Sequence, residues 1–390
     1  MSLCARVLAG TVLAVQVGLA QTTTDDIRAA VDQLGDFDYG VRMEASRTLR
    51  RADVDTSFPA LLDAVEHHGD SYVQFRSIVL IYGLDLPQGE TVFQEALDSQ
   101  NDRVRAVAYE YFEQTPSAVV VPKLLAALDT ETSEFVRPYL VRALAANADA
   151  PAVRERLILD IDRGQGYFRG AVIEALGDHS AVYAVESLIP IIEDSGPLRD
   201  DALLALGKIG DGRVLAPLRV VQEDADATLQ PIVSATACLL DISCEAQLSY
   251  IVDALRYAAA AEDGDNQELL RSASTALAAL AVDGQRGALA ALFEVGLTAS
   301  ETARAPIALA LGAVALRNPM AVRAALAGDN ASSTSVPEAE LLLLRDAFDM
   351  LDEDFAEERF YVLMRQDYWA GLGDARAKAI AEAAIRILEF

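Results

Sequence analysis

Apolar residues recur along this chain at i, i+4 and i+8 in short blocks, and the blocks recur about once every helix pair. In each block an arginine, once a glutamine, follows an apolar residue: Arg42, Arg76, Arg105, Arg137, Arg169, Arg199, Gln230, Arg271, Arg304, Arg345 and Arg376. The residue before this anchor is always apolar, from Val41 and Phe75 to Leu344 and Ala375. The third residue after it is apolar in every block but one, where Ser274 stands. Seven places after the anchor a large apolar residue follows in six blocks: Leu49, Phe112, Leu144, Leu176, Leu206 and Leu311. Positions spaced by four share one face of a helix, so each block predicts an amphipathic helix with its apolar stripe turned to a core. Self-similarity at this period predicts stacked units, each burying its stripe against the next.

The residues between blocks predict a second helix in each unit. Pro197-Leu198-Arg199-Asp200-Asp201 opens a first helix with proline and acids in its favoured first turn. Ala202, Leu203, Leu206 and Ile209 follow at helical spacing, and Gly210-Asp211-Gly212 closes it. A second helix then runs from Val214 to Asp224. Pro59, Pro122, Pro190 and Pro217 occupy similar places in their units, which predicts prolines in the first turn of the second helices. Apolar-Arg, a small apolar residue, Leu, a turn with Asp or Gly, then Pro-x-Leu-Leu resembles HEAT repeats, most closely the bacterial type also found in phycobilisome lyases. The resemblance covers residues 36–390 and implies an all-α, right-handed α-solenoid of about ten helix pairs. It implies too that the second helices line the concave side. Such repeats serve unrelated roles, so the motif speaks for architecture far more than for activity.

Two spacings of 41 residues depart from the repeat. One accommodates Glu262-Asp-Gly-Asp265-Asn266 after the Gln230 block, and the other a polar stretch from Gly328 to Pro337. The helix from Ala375 to Phe390 has no successor and reads as a C-terminal cap, with Lys378, Glu382, Arg386 and Glu389 on a polar outer face. Residues 1–20 have another layout: Arg6, an apolar run from Val7 to Leu19 too short to span a bilayer, and a small-x-small site at Gly18-Leu19-Ala20. That is the layout of a cleavable secretory signal, with cleavage between Ala20 and Gln21, a lead-in over residues 21–35 and the repeats beyond. A periplasmic or secreted protein is the expectation.

Hydrophobic residues make up 52% of the chain, which excludes general disorder and provides for a continuous core. The formal charge is −28, and −29 once Arg6 leaves with the signal. An acidic surface of this strength repels phosphate backbones, so nucleic acid is excluded as a partner class. After signal removal two cysteines remain, Cys238 and Cys244, and an oxidising compartment permits a disulfide across the turn between them. Two buried free thiols are the alternative.

Candidate chemistry is sparse. The histidines are His67, His68 and His179. Adjacent His67 and His68 point about 100° apart on a helix and make no shared ligand site, and His179 reads as part of a turn. Some HEAT-like enzymes resemble a di-iron hydroxylase whose ligands are repeated His-Glu pairs. The chain has no His-Glu dipeptide, so that activity does not carry over. Acidic clusters at 262–266 and at Asp352-Glu353-Asp354 with Glu357 and Glu358 lack the ordered spacing of a calcium loop. Gly207-Lys-Ile-Gly210-Asp-Gly212 lacks phosphate-loop spacing. Fifteen of the 25 aromatics fall between Phe37 and Tyr183, an imbalance that suits either packing between units or protein recognition. Tyr361, Tyr368 and Trp369 read as a plug for the last unit. No catalytic, cofactor-binding or metal-binding set emerges. The expectation is a non-enzymatic scaffold that binds a protein or peptide on its concave face. The alternative is an accessory or lyase-like protein that binds a small ligand there.

Overall fold

The structure is a computed structural model describing residues 23–84, 86, 89–261, 266–328, 336–351, 354–370 and 374–388, without the side chains of Asp354 and Ala370. The signal, its cleavage site and Glu389 lie outside the described residues. A lead-in helix, α1 (Thr24–Gln33), is followed by ten helix pairs. The first five are α2 (Tyr39–Arg51) with α3 (Val54–His67), α4 (Ser71–Gly83) with α5 (Gly89–Ala96), α6 (Asp102–Gln114) with α7 (Val121–Thr130), α8 (Arg137–Ala146) with α9 (Pro151–Asp160), and α10 (Gly166–Asp178) with α11 (Val185–Glu193). The next five are α12 (Arg199–Ile209) with α13 (Leu215–Asp224), α14 (Gln230–Leu239) with α15 (Cys244–Ala259), α16 (Gln267–Val282) with α17 (Arg286–Thr298), α18 (Glu301–Arg317) with α19 (Pro319–Ala327), and α20 (Glu338–Leu351) with α21 (Asp354–Ala370). A final helix, α22 (Ala375–Ile387), closes the array. The fold is an all-α solenoid.

Every anchor residue sits in an even-numbered helix, and its stripe is buried. Val79, Ala108, Leu140, Val172, Ala202, Ile307, Leu144, Leu176, Leu206 and Leu311 are inaccessible to solvent. Several anchors reach backwards, while Arg271 pairs with Glu268 in its own helix and Arg304 with Asp346 of the next unit. Arg169 donates from Nε to the carbonyl of Ile161 at 2.7 Å, and Arg199 to that of Ile192 at 3.0 Å. Arg105 donates to Ser99 O at 2.8 Å. These carbonyls belong to the end of the preceding second helix or the turn after it, where the last backbone acceptors lack partners and the helix dipole favours a cation. At these positions the repeated arginine is thus a clamp between units. Asp38, Asn101 and Ser300, each four residues before an anchor, cap the following helix from their side chains.

The even-numbered helices pack on one another in succession as an inner layer. Close approach is made possible by glycines eight residues after the anchor: a Cβ on Gly177 would meet Ala205 Cα at 2.6 Å, and one on Gly207 would meet Thr236 Cα at 3.2 Å. The inner helices are buried nearly all round, with eight consecutive buried residues in α8 and eight in α14. Most odd-numbered helices form an outer layer that buries one narrow stripe, such as Ile251, Leu255 and Ala258 in α15, whereas α17 and α21 are buried more widely. The first helices, not the second, therefore face the inside of the array. Pro122 and Pro217 stand in a first turn, but Pro59 and Pro190 lie inside α3 and α11. The carbonyls they leave unpaired belong to Asp55 and Glu186, both exposed, so water replaces the missing N–H. In α22 Ile380, Ala381, Ala383 and Ala384 are buried, so the place seven after the anchor is inside while Ala379, three after it, is half-buried; Glu382 and Arg386 face solvent as expected of a cap.

The array closes on itself. Helix α21 packs against α4, more than 270 residues earlier. Tyr82 and Phe355 meet with ring centroids 4.3 Å apart. Arg50, at the end of α2, donates to Glu358 from Nε at 3.1 Å and from Nη2 at 2.5 Å, with both side chains almost wholly buried. Arg365 Nη2 reaches Gly83 O at 3.4 Å.

Candidate functional site

Closure gathers charged residues from the C-terminal ends of the inner helices. Glu113 from α6, Asp178 and His179 from the end of α10, Lys208 from α12 and Arg317 from α18 border a cavity of about 290 Å³. Arg317 is the hub: Nη1 lies 3.2 Å from Glu113, and Nη2 lies 3.1 Å from Glu174 and 3.4 Å from Asp178. Lys208 Nζ stands 2.6 Å from the other oxygen of Asp178. Arg142 Nε donates to Glu113 at 3.2 Å, and His179 Nε2 faces the same carboxylate at 3.6 Å. Across the mouth Arg359 Nη1 donates to Leu316 O at 2.9 Å.

Burial by itself would raise the carboxyl pKa of Glu113, but His179, Arg142 and Arg317 outweigh it and hold the value at about 2. Asp178 is likewise lowered, its burial outweighed by Arg317 and Lys208. The Arg317 guanidinium is raised above its ordinary range: burial opposes its charge, and Glu174, Asp178 and Glu113 overcome that. Nearby Asp201 behaves oppositely. Desolvation by the surrounding protein, with the like charges of Glu174 and Asp200, pushes it up to about 6. Glu113 and Asp178 are therefore fixed charges at neutral pH, not proton carriers, and what the cluster does is tie α6, α8, α10, α12 and α18 together. On the inner side, where a groove was expected, the cross-array ion pairs of Arg317 border this polar cavity. His179 ends α10 as expected of a turn residue and is also drawn into the cluster. Its sequence neighbourhood gave no sign of that, since its partner Glu113 lies 66 residues away.

The remaining candidates are dispersed. His67 ends α3 beside Asp63, and His68 faces Asp32 at 3.3 Å. Among the described residues no group of three or more His, Cys, Asp or Glu is placed to hold a metal ion, and Glu262–Asp265, Asp352 and Glu353 lie outside those residues. Cys238 and Cys244 form a disulfide that links the last turn of α14 to the start of α15. The aromatics divide. Tyr109 and Phe112 are buried, and Tyr111 stacks on Phe93 at 4.1 Å. Phe37, Phe135 and Tyr167 are 103%, 52% and 69% exposed, each at the N-terminal end of an inner helix. Inner helices run parallel to one another, so these rings share one edge of the array, with half-buried Tyr72 and Phe75 between them in α4. Tyr361 is buried, as a plug residue would be, but Trp369 is 65% exposed. Among the described residues no single helix is long and apolar enough to cross a membrane.

Neither a family model nor a curated protein sequence matches the chain. Among solved structures, that of Kap121p bound to Pho4p matches over 94% of this chain and 45% of its own, at 13% sequence identity and a TM-score of 0.35. The chain thus spans less than half the length of that protein.

Proposed function

We propose that this protein is an exported, non-enzymatic scaffold that binds a protein partner along the aromatic edge of its inner layer. The observation that carries the reading is the row of Phe37, Phe135 and Tyr167, which stand open to solvent at the ends of inner helices. Exposed aromatics on a rigid frame supply contact area at low entropic cost, and such residues dominate binding energy in interfaces. The concave face, expected from the repeat to be the binding surface, is crossed by the ion pairs of Arg317. The signal layout supports export, and the disulfide suits an oxidising compartment. Mature protein recovered from the periplasm is expected to show no labelled thiol at Cys238 or Cys244 without reductant; labelling at both would argue against the disulfide.

The test is a crosslinking pull-down with tagged mature protein, run beside a Phe37→Ser, Phe135→Ser, Tyr167→Ser variant. The reading requires a partner that is enriched by the native protein and lost with the variant at an unchanged melting temperature. Retention of the partner by the variant would refute the edge. The charge-lined cavity favours a second reading, a small polar ligand in its roughly 290 Å³. A small molecule that copurifies and is lost on Lys208→Ala would put that reading first.

A further inference from the structure

A second, open groove lies at the seam where the chain closes. We propose that this groove binds a short peptide carrying carboxylates next to an apolar or aromatic side chain. Three arginines come from the last turns of α2: Arg47, Arg50 and Arg51. Helix α21 adds Tyr361, Arg365, Tyr368 and Trp369, and α22 adds Glu382 and Ile385, around about 670 Å³. In a chain of net charge −28, four arginines border this groove. Glu358 pairs with Arg50, Glu44 stands beside Arg47 and Glu382 lies on the rim, so the arginines still outnumber the carboxylates and the local charge is reversed in sign.

The arginines are not equivalent. Arg50 is committed to Glu358 and lies over the Tyr361 ring at 4.6 Å, so it serves as the floor. Arg51 is exposed and reaches an incoming ligand, while Arg47, 3.7 Å from Glu44 with 32% of its side chain open, adds charge beside it. Arg365 stands over the same Tyr361 ring at 5.9 Å. Stacking of this kind holds a guanidinium with its donors turned outward in the planar fork that matches a carboxylate. Opposite them, Tyr368 and Trp369 meet edge to face at 5.2 Å, and Lys378 stands over Tyr368 at 5.1 Å. An exposed tryptophan beside Ile385 gives an apolar side chain a surface to cover. Both halves of the ligand follow: carboxylates for the arginines, an apolar ring or chain for the aromatics. The rest of the acidic surface disfavours a long polyanion, whose length would extend over it, whereas a short peptide stays inside the favourable patch.

Trp369 is the only tryptophan in the chain, so its emission reports on the groove without labelling. The full mature protein is titrated with the synthetic hexapeptide Asp-Phe-Asp-Asp-Phe-Asp. Two control peptides are its Asn-for-Asp and Gly-for-Phe counterparts, and a third probe is a DNA duplex. A fluorescein-labelled copy followed by anisotropy gives a second readout. The Asp-Phe peptide is expected to saturate the protein with a blue shift of the emission. Each control peptide should bind at least about tenfold more weakly. The exposed-site variant Arg51→Glu should weaken binding of the Asp-Phe peptide by a similar factor at an unchanged melting temperature. Equal binding of the Asn counterpart, binding of DNA as tight as that of the peptide, or no binding in either readout would overturn the proposal. None of these outcomes touches the aromatic edge, which lies on other residues.

Discussion

Gln230 donates to the carbonyls of Gln222 at 3.4 Å and Ala225 at 3.3 Å, at the end of α13, doing with an amide what Arg169 and Arg199 do with a guanidinium. What repeats along the chain is a side-chain donor of sufficient reach, and arginine is its strongest form because charge and dipole act together. Arg199→Ala is expected to cost about 1 kcal/mol of unfolding free energy, the net worth of a hydrogen bond of this kind, with Arg199→Gln in between. Denaturant midpoints would show it, and an Arg199→Gln protein no better than Arg199→Ala would mean that the donor is not what matters. The anchors were legible in the sequence as a pattern, but their role was not, because the acceptor is a backbone carbonyl that no residue type reveals. Glu113 gives a second prediction at this scale. Its pKa is lowered from an ordinary 4.5 to about 2, so its contribution is whole above pH 4.5 and is lost as the pH falls toward 2. That contribution is on the order of 3 kcal/mol. Asp201 is raised from 3.8 to about 6, so its ionised form is a penalty above pH 6 that is relieved as the pH falls toward 3.8. Together they place the maximum of the melting temperature between about pH 4 and 6. Glu113→Gln should remove much of the acid-side loss, and a maximum near pH 8 would contradict the assignment.

At the scale of helices, the apolar stripe foretold the even-numbered helices, their buried face and their order with little error. It could not foretell which helix of a pair lies inside, since both carry a stripe. The sign was present in glycine. Gly177, Gly207 and Gly312 each follow their anchor by eight places, and a Cβ at any of them would crowd the next inner helix. Small residues at a crossing mark the layer whose backbones approach most closely. Alanine gains up to about 1 kcal/mol over glycine from helix propensity alone, whereas overpacking costs roughly 1–3 kcal/mol. At Gly177 the second effect should win, because the obstacle is the backbone of Ala205. Gly177→Ala is expected to lower stability, while Gly166→Ala at the open start of α10, with nothing within 4 Å, should leave it unchanged or raise it. Thermal melts of the two variants decide the point; stabilisation by both would mean that α10 and α12 are further apart than described.

For the whole molecule, a repeat pattern describes only neighbours, and closure is a contact between units that are not neighbours. Nothing in the spacing of Arg50 and Glu358, 308 residues apart, or of Glu113 and Arg317, announces that they meet. This is why the sequence implied an open groove while the structure places a polar cavity and a packed seam there, and why the seam groove with Trp369 on its rim escaped notice. The most direct test is a distance between spin labels on Arg51→Cys and Trp369→Cys in the mature protein. Both residues border one groove, so closure predicts a separation within about two helix spacings, roughly 20 Å. An open array of ten pairs would hold them about 90 Å apart at the same spacing. A short distance that lengthens on Glu358→Ala, which strands the buried Arg50, would establish that the ion pair holds the ring shut. A long distance in the otherwise native protein would contradict closure, and with it the seam groove and the central cavity.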